Sequence, residues 1–178
     1  MAVDLMFSIN KVYLNATETP KAQQTAGNEW TDLGDTKGGA NFSQSVDKIE
    51  ITDDQNTDPI AIIPTAAPKT ATINVINASP ENLALAFAGD VIGDDVTIPS
   101  LIEGVERALI IQTREINGTH YEIYIPRAYI TGESEISLSP DDATTLTLNI
   151  QVLKPSSGDP VTITKVTTGY VDYSATAL

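Results

Sequence analysis

Residues 107–131 read RALIIQTREINGTHYEIYIPRAYIT. Asn117-Gly118 separates two runs of alternating apolar and polar residues, which is the signal of a type I′ hairpin turn. On the return run Tyr121, Ile123 and Ile125 share one parity. Pro126 lacks a backbone N–H, so it marks an edge or a bend in that strand. Period-two patterning this clear makes the chain a sheet protein, and the flanking sequence extends the pattern.

Upstream, GGANFSQSVDKIEITDD (38–54) reads as one long, mostly polar strand. Phe42 and Val46 share one parity while Ile49 and Ile51 share the other, so a bulge or strong twist is expected between them. QNTDPIAIIPTAAP (55–68) reads as a loop broken by Pro59, Pro64 and Pro68. KTATINVINA (69–78) alternates again, with Ala71, Ile73 and Val75 opposite Thr70, Thr72 and Asn74. The two strands pair antiparallel across the loop.

SPENLALAFAGD (79–90) is the best helix in the chain. Ser79 caps it, Pro80 suits the first helical position, Glu81 favours the first turn and Gly89 fits the stop. Leu83, Ala86 and Phe87 fall on one face, and so short a helix needs a sheet to pack on. Residues 93–105 read as irregular structure with a short strand. SEISLSPDDATTLTLNIQVLKP (134–155) gives another strand pair, with Leu146, Leu148, Ile150 and Val152 on one apolar face. Residues 161–173 are a last strand or tail. At the start, VDLMFSINKVYLNA (3–16) is a candidate strand, and TETPKAQQTAGNEW (17–30) a surface loop or arm.

The chain has 178 residues and reads as one domain, 1–178, mainly β with one flanking α-helix. Its formal net charge of −14 opposes general nucleic-acid binding and adhesion to anionic membranes. It contains no cysteine, which excludes disulfides and thiolate metal sites. MAVDLMFSIN lacks the basic start of a signal peptide, and no run approaches the ~20 apolar residues that span a bilayer. Synthesis in the cytoplasm is expected.

Catalytic chemistry is nearly absent from the pattern. His120, the one histidine, sits two residues past the hairpin turn and is expected to be exposed. No nucleophile motif surrounds any serine to complete a triad with it. The acid pairs Asp53-Asp54, Asp94-Asp95 and Asp141-Asp142 all fall in expected loops, where solvated carboxylates are the simplest account. Asp54, Asn56 and Asp58 mimic the opening of a calcium loop, but Pro59 and Thr65 stand where such a loop needs Gly and Glu. The N-x-[ST] sequons at Asn15, Asn41, Asn77 and Asn117 are expected by chance in this composition. Gly38-Gly39 lie outside any phosphate-loop pattern and let the chain turn into the strand. No catalytic residue, cofactor or metal is assigned. A structural or binding role is favoured over an enzyme.

The order of these elements resembles the tail tube proteins (major tail proteins) of long-tailed bacteriophages. The resemblance is carried by W-x-x-LG-x-x-x-GG at 30–39, the strand and Pro-rich loop after it, the helix at SPENLALAF, and HYEIYIPRAYITGESEISLSPDDATTLTLNIQVL at 120–153. It implies a β-sandwich or barrel-like tail-tube fold whose subunits assemble into hexameric rings. The rings stack into a hollow tube in the virion, built around a tape-measure protein and joined to other tail proteins. Neighbouring subunits join their sheets into one inner barrel, and loops and terminal segments bridge successive rings. DNA passes through the lumen without specific binding, and no membrane is involved.

A strand lining a water-filled tube is free to be polar on its lumen face, and acid there repels phosphate. On this basis Ser43, Ser45, Asp47, Lys48, Glu50, Thr52, Thr70, Thr72 and Asn74 are lumen-lining candidates, with Ile49 and Ile51 pointing into the sandwich. Residues 55–68 are an expected inter-subunit loop through Ile60, Ile62 and Ile63, since exposed apolar loops mark contacts. Trp30, at the end of the N-terminal segment 1–30, is a further contact candidate. The alternatives are another virion component, either a capsid decoration or a tail terminator, and a carbohydrate-binding or adhesin sandwich. The latter usually displays aromatics on one face, whereas Tyr121 and Tyr124 fall on opposite faces.

Overall fold

A computed structural model of the chain describes residues 8–22, 29–52, 58–136 and 145–174. In chain order the strands are β1 (Ile9–Ala16), β2 (Thr31–Asp32), β3 (Thr36–Gln44), β4 (Asp47–Ile51), β5 (Ala61–Ala66) and β6 (Lys69–Val75). The helix α1 (Pro80–Phe87) follows, then β7 (Asp90–Ile92), β8 (Asp95–Thr97), β9 (Val105–Thr113), β10 (His120–Ile130), β11 (Leu146–Val152) and β12 (Thr162–Val166). An eight-stranded sheet runs β2-β1-β9-β10-β11-β6-β3, with β12 also paired to β10.

The hairpin that signals the fold is its spine. Asn117 and Gly118 both take positive φ (54° and 74°), as a type I′ turn requires, and β9 and β10 pair antiparallel across it. The β9–β10 register slips between Ile125 and Ala128, on either side of Pro126. Before that bulge β10 also pairs with β12; after it, β10 pairs with β11. One strand thus serves two arms of the sheet, and the bend lets them face each other. Val12, Leu14, Leu109, Ile111 and Ile125 from one arm meet Ile73, Val75, Leu146, Leu148 and Ile150 from the other in a single buried cluster. The alternation expected for 69–75 and 146–152 is what builds this core.

α1 begins where expected. The Ser79 side chain accepts the Asn82 N–H, and Pro80 opens the helix. The left-handed cap is Ala88 (φ 49°) rather than Gly89, whose N–H instead bonds the Ala84 carbonyl. Leu83, Leu85 and Phe87 are half-buried against the core and Ala86 is fully buried. Asn82 is buried too, and its amide donates to the Leu33 and Asn77 carbonyls, pinning the helix to the β2–β3 connection.

The long polar strand departs from expectation. It breaks at the phase change into β3, which pairs with β6, and β4, which leaves the main sheet. Gly38 and Gly39 lie inside β3 with positive φ, where the β3–β6 register shifts between Thr36 and Ala40. Much of the expected 55–68 loop is strand: Ala61–Ala66 form β5 and pair with β4 as a separate hairpin. Ile49 and Ile51 therefore point away from any sandwich, being 57% and 39% exposed. In the expected pair over 134–155, the described part of the first strand contributes only an isolated bridge, Ile136 to Leu146. Residues 90–97 form a small hairpin of two strands where one short strand was expected. The candidate strand at 3–16 is described from Ser8, and the arm at 17–30 outside 23–28. The start of the calcium-like run and the acid pairs at 53–54 and 141–142 lie outside the described residues.

Candidate lumen and assembly surfaces

The outer face of the β3–β6–β11 arm carries rows of uncharged polar side chains. Ser43 stands opposite Thr70, which stands opposite Gln151; Asn41, Thr72 and Asn149 form the next row. Strand alternation puts these side chains on the face away from Ala71 and Ile73. Cross-strand bonds tie them together: Ser43 Oγ and Thr70 Oγ1 are 2.8 Å apart, and Thr147 donates to Asn74 Oδ1 at 3.0 Å. The structure thus gathers the candidates Ser43, Thr70, Thr72 and Asn74 onto one surface. Ser45 lies at its margin, where its N–H bonds the Pro68 carbonyl.

The remaining candidates belong to the β4–β5 hairpin. Lys48 and Glu50, two apart on β4, form an exposed ion pair at 2.5 Å, and Thr52 is exposed just beyond the strand. Asp47 is exposed at the hairpin root, where its carbonyl accepts the Thr65 hydroxyl. Every residue of both strands is exposed. Register sorts the isoleucines. Ile63 stands opposite Ile49 and shares its face with Ile51, whereas Ile62 stands opposite Glu50 and shares the other face with Lys48. Ile60 follows the Ile62 parity, and its N–H bonds the Ile51 carbonyl. A lone two-stranded ribbon with an apolar face is marginal in water.

Trp30 is placed differently. It is buried within its own chain, packed edge-on to Tyr173 at 6.2 Å in a second cluster with Tyr13, Ala108 and Ile110. This cluster covers the second face of β1, β9 and β10, and residues 170–174 close over it. The clamp is polar. Glu122 is 2% exposed and accepts from Lys21 Nζ at 2.6 Å, Gln112 Nε2 at 2.9 Å and the Tyr173 hydroxyl at 2.9 Å. Gln112 also donates to the Val171 carbonyl at 2.7 Å. Burial works to raise the Glu122 carboxyl, but its donors outweigh that and hold it below the usual carboxylate range. Burial likewise pushes the Tyr13 phenol up to about 12.

His120 is fully buried, contrary to the exposed position expected beside a turn. Tyr170 from the closing segment lies against its ring at 4.6 Å. Among the described residues neither ring nitrogen has a hydrogen-bond partner, although Nε2 is 3.5 Å from a Glu122 oxygen. No described serine is bonded to it. The sequence signal for this burial is the aromatic-rich tail GYVDY, which needs a surface to lie on. Among the described residues there is no grouping of three or more His, Asp or Glu that would hold a metal, and no helix long and apolar enough to cross a membrane.

Besides the two-residue β2, two end strands of the main sheet are paired on one side only. Among the described residues β3 pairs only with β6, and β12 only with β10. Between them lies a mainly apolar cleft of about 660 Å³, lined by Ile9, Phe42, Ile111, Ile123 and Ile163. Among the described residues nothing covers this side of the sandwich.

A search of curated proteins finds no match to the chain. Among solved structures, a cryo-EM structure of the anti-feeding prophage cap (AFP tube terminating cap) is similar at 12% identity and a TM-score of 0.49, over 93% of this chain and 95% of that one. A family model described as phage tail tube protein matches residues 6–169, nearly the whole chain. The β-rich architecture agrees with that match, and the chain belongs to the phage tail tube protein family, as a structural component of the phage tail.

Proposed function

We propose that copies of this chain assemble into hexameric rings that stack as the hollow tail tube, with DNA passing through the lumen. The observation that carries this reading is the β4–β5 hairpin, exposed on every residue and bearing Ile49, Ile51 and Ile63 on one face. Aliphatic surface of this kind is stabilised by a protein partner. The open edges of β3 and β12 support the lateral contact. A neighbour's strand would satisfy their backbone groups, and its side chains would seal the cleft between them.

In this reading the polar face of β3, β6 and β11 lines the lumen through Ser43, Thr70, Thr72 and Asn74. The acid on the candidate set comes from Asp47 and Glu50 at the hairpin, where Lys48 offsets one charge. Such a wall gives DNA phosphates no cluster of Lys or Arg to bind, so the duplex slides. The tape-measure protein and other tail proteins are the remaining partners, and the protein acts without catalysis.

The test uses the absence of cysteine, which makes any introduced thiol unique. Thr72→Cys protein is assembled at low and high salt and viewed by electron microscopy. In tubes, the introduced thiol should react with a small maleimide but resist one carrying a polymer too large to enter the bore, while dispersed subunits react with both. Equal labelling of intact tubes by both reagents would place this face outside. A single unstacked ring would indicate a tail terminator.

A further inference from the structure

We infer that residues 90–103, the β7–β8 hairpin and the connection after it, form a docking surface for a cationic amphipathic segment of a different protein, one that sets Lys and Arg around an apolar face. The inference goes beyond the tube reading, because its partner is not a copy of this chain. The surface is aliphatic at its centre. Val91, Ile92, Ile98, Leu101 and Ile102 are all exposed there, and Leu101 is 73% exposed. Aliphatic surface gathered in one segment marks a contact.

The fold holds this segment at both ends. β7 and β8 pack against α1, and Gly89 passes so close to β8 that a Cβ there would meet the Thr97 carbonyl oxygen at 2.6 Å. Further on, the Gly104 N–H donates to the Tyr129 hydroxyl at 2.9 Å. Between these anchors Ile102 and Ala88 both lie against Gly132, where an added Cβ would stand 2.8 Å from the Ile102 side chain and 2.7 Å from that of Ala88. The connection after β8, the end of the helix and Gly132 therefore meet at one place.

Charge names the occupant. From Thr70 to Glu106 the sequence contains no Lys, Arg or His, while Glu81, Asp90, Asp94, Asp95, Glu103 and Glu106 are acidic. Asp90, Asp94, Asp95 and Glu103 are exposed among the aliphatic side chains, and exposed Glu133 directly follows Gly132. α1 ends here at Ala88 with no basic residue in its last turn, so the partial negative charge of the helix end adds to the acid. A segment that carries cations beside an apolar face matches both features at once. This chain does not supply one to itself. Its residues outside the described set contain no Lys or Arg, and its other large apolar surface, the β4–β5 hairpin, brings Asp47 and Glu50, with Lys48 already paired to Glu50. The attraction is screened by salt, so the partner binds best at low ionic strength.

The experiment titrates the dispersed full chain with synthetic helical peptides and follows its backbone amides by NMR. One peptide has a leucine face and a lysine face, a second replaces lysine by glutamate, and a third replaces leucine by glutamine. Only the leucine–lysine peptide is expected to shift residues 90–104 saturably, and less so at high salt. The variant Ile92→Ser/Leu101→Ser, checked by circular dichroism for a native fold, should bind it about tenfold more weakly, a difference of ~1.4 kcal/mol. Shifts centred on another surface, or unchanged affinity in the variant, would overturn the site. Equal binding of the leucine–glutamate peptide would remove the role of charge, and equal binding of the lysine–glutamine peptide the role of the aliphatic centre; either overturns it. A Leu101→Cys thiol should react with a small maleimide in dispersed subunits and in tubes alike. Protection of that thiol in tubes would give the patch to a second copy and overturn the inference while leaving the tube reading standing.

Discussion

Replacing Glu122 by Gln tests whether the buried polar clamp holds the C-terminal segment. The carboxylate accepts three close hydrogen bonds, from Lys21, Gln112 and Tyr173. An amide keeps the shape, removes the charge and brings its own donors toward a site already supplied with donors. Hydrogen bonds to a charged group are worth ~1.5–3 kcal/mol each, and the Gln oxygen still accepts from one or two of the three donors. Lys21 is partly exposed and can turn to water, which limits the loss on its side. About 3 kcal/mol is expected in all, a fall in melting temperature of about 6–12 °C for a chain of this length. The pH dependence has a definite sign. The folded carboxyl titrates below its unfolded value of 4.5, so its stabilisation is present above pH 4.5 and is lost as pH falls through the folded value. Wild type should lose that increment in acid, and the variant should lack it. Urea unfolding of dispersed protein in a pH series from 7 down into acid, for both wild type and variant, measures both effects, and hydrogen exchange at 170–174 reports the clamp directly. A loss below ~1 kcal/mol with unchanged exchange at Tyr173 would refute the reasoning.

Ile73→Ala should cost ~2–5 kcal/mol in urea unfolding, because Ile73 is fully buried between the arms, whereas Thr72→Ala on the polar face should stay within ~0.5 kcal/mol. Ser79→Ala removes the acceptor for the Asn82 N–H and should cost about 1 kcal/mol, read the same way. Gly118→Val forces a β-branched residue into positive φ at the hairpin turn and should cost roughly 1–3 kcal/mol, with slower refolding if the hairpin forms early. Ile49→Asp should leave monomer stability near wild type, since the side chain is exposed, yet abolish tubes in electron microscopy.

Alternation makes much of this fold legible. Ala71, Ile73 and Val75, and likewise Leu146, Leu148 and Ile150, read as one-sided strands because only one of their faces is buried. Asn117-Gly118 marks the turn because its backbone angles leave few other choices. The failures share a cause in long-range contact. His120 and Glu122 follow the parity of a surface position, but residues 170–174, some fifty positions later, cover that face. Trp30 reads as a contact residue for the same reason; its partner Tyr173 lies in the same distant segment. The break after Gln44 is legible as a phase change, yet local pattern does not distinguish a bulge from a strand leaving the sheet. Both arrangements reverse the parity of Ile49 and Ile51.

The candidate surfaces are legible to a different degree, because polar alternation identifies a wet face without saying what the water belongs to. Thr70, Thr72 and Asn74 satisfy the same pattern on a free domain or inside a tube. The hairpin supplies the asymmetry. Ile49 and Ile51 alternate cleanly, so sequence reading assigns them to a core; the fold leaves them in solvent with Ile60, Ile62 and Ile63. Burying about 100 Å² of apolar surface contributes ~2.5 kcal/mol, enough for a few such side chains to overcome screened repulsion between acidic copies. On the proposed tube reading, a chain of net charge −14 stays dispersed at low ionic strength and polymerises once salt screens it, because its assembly energy is held outside the folded core.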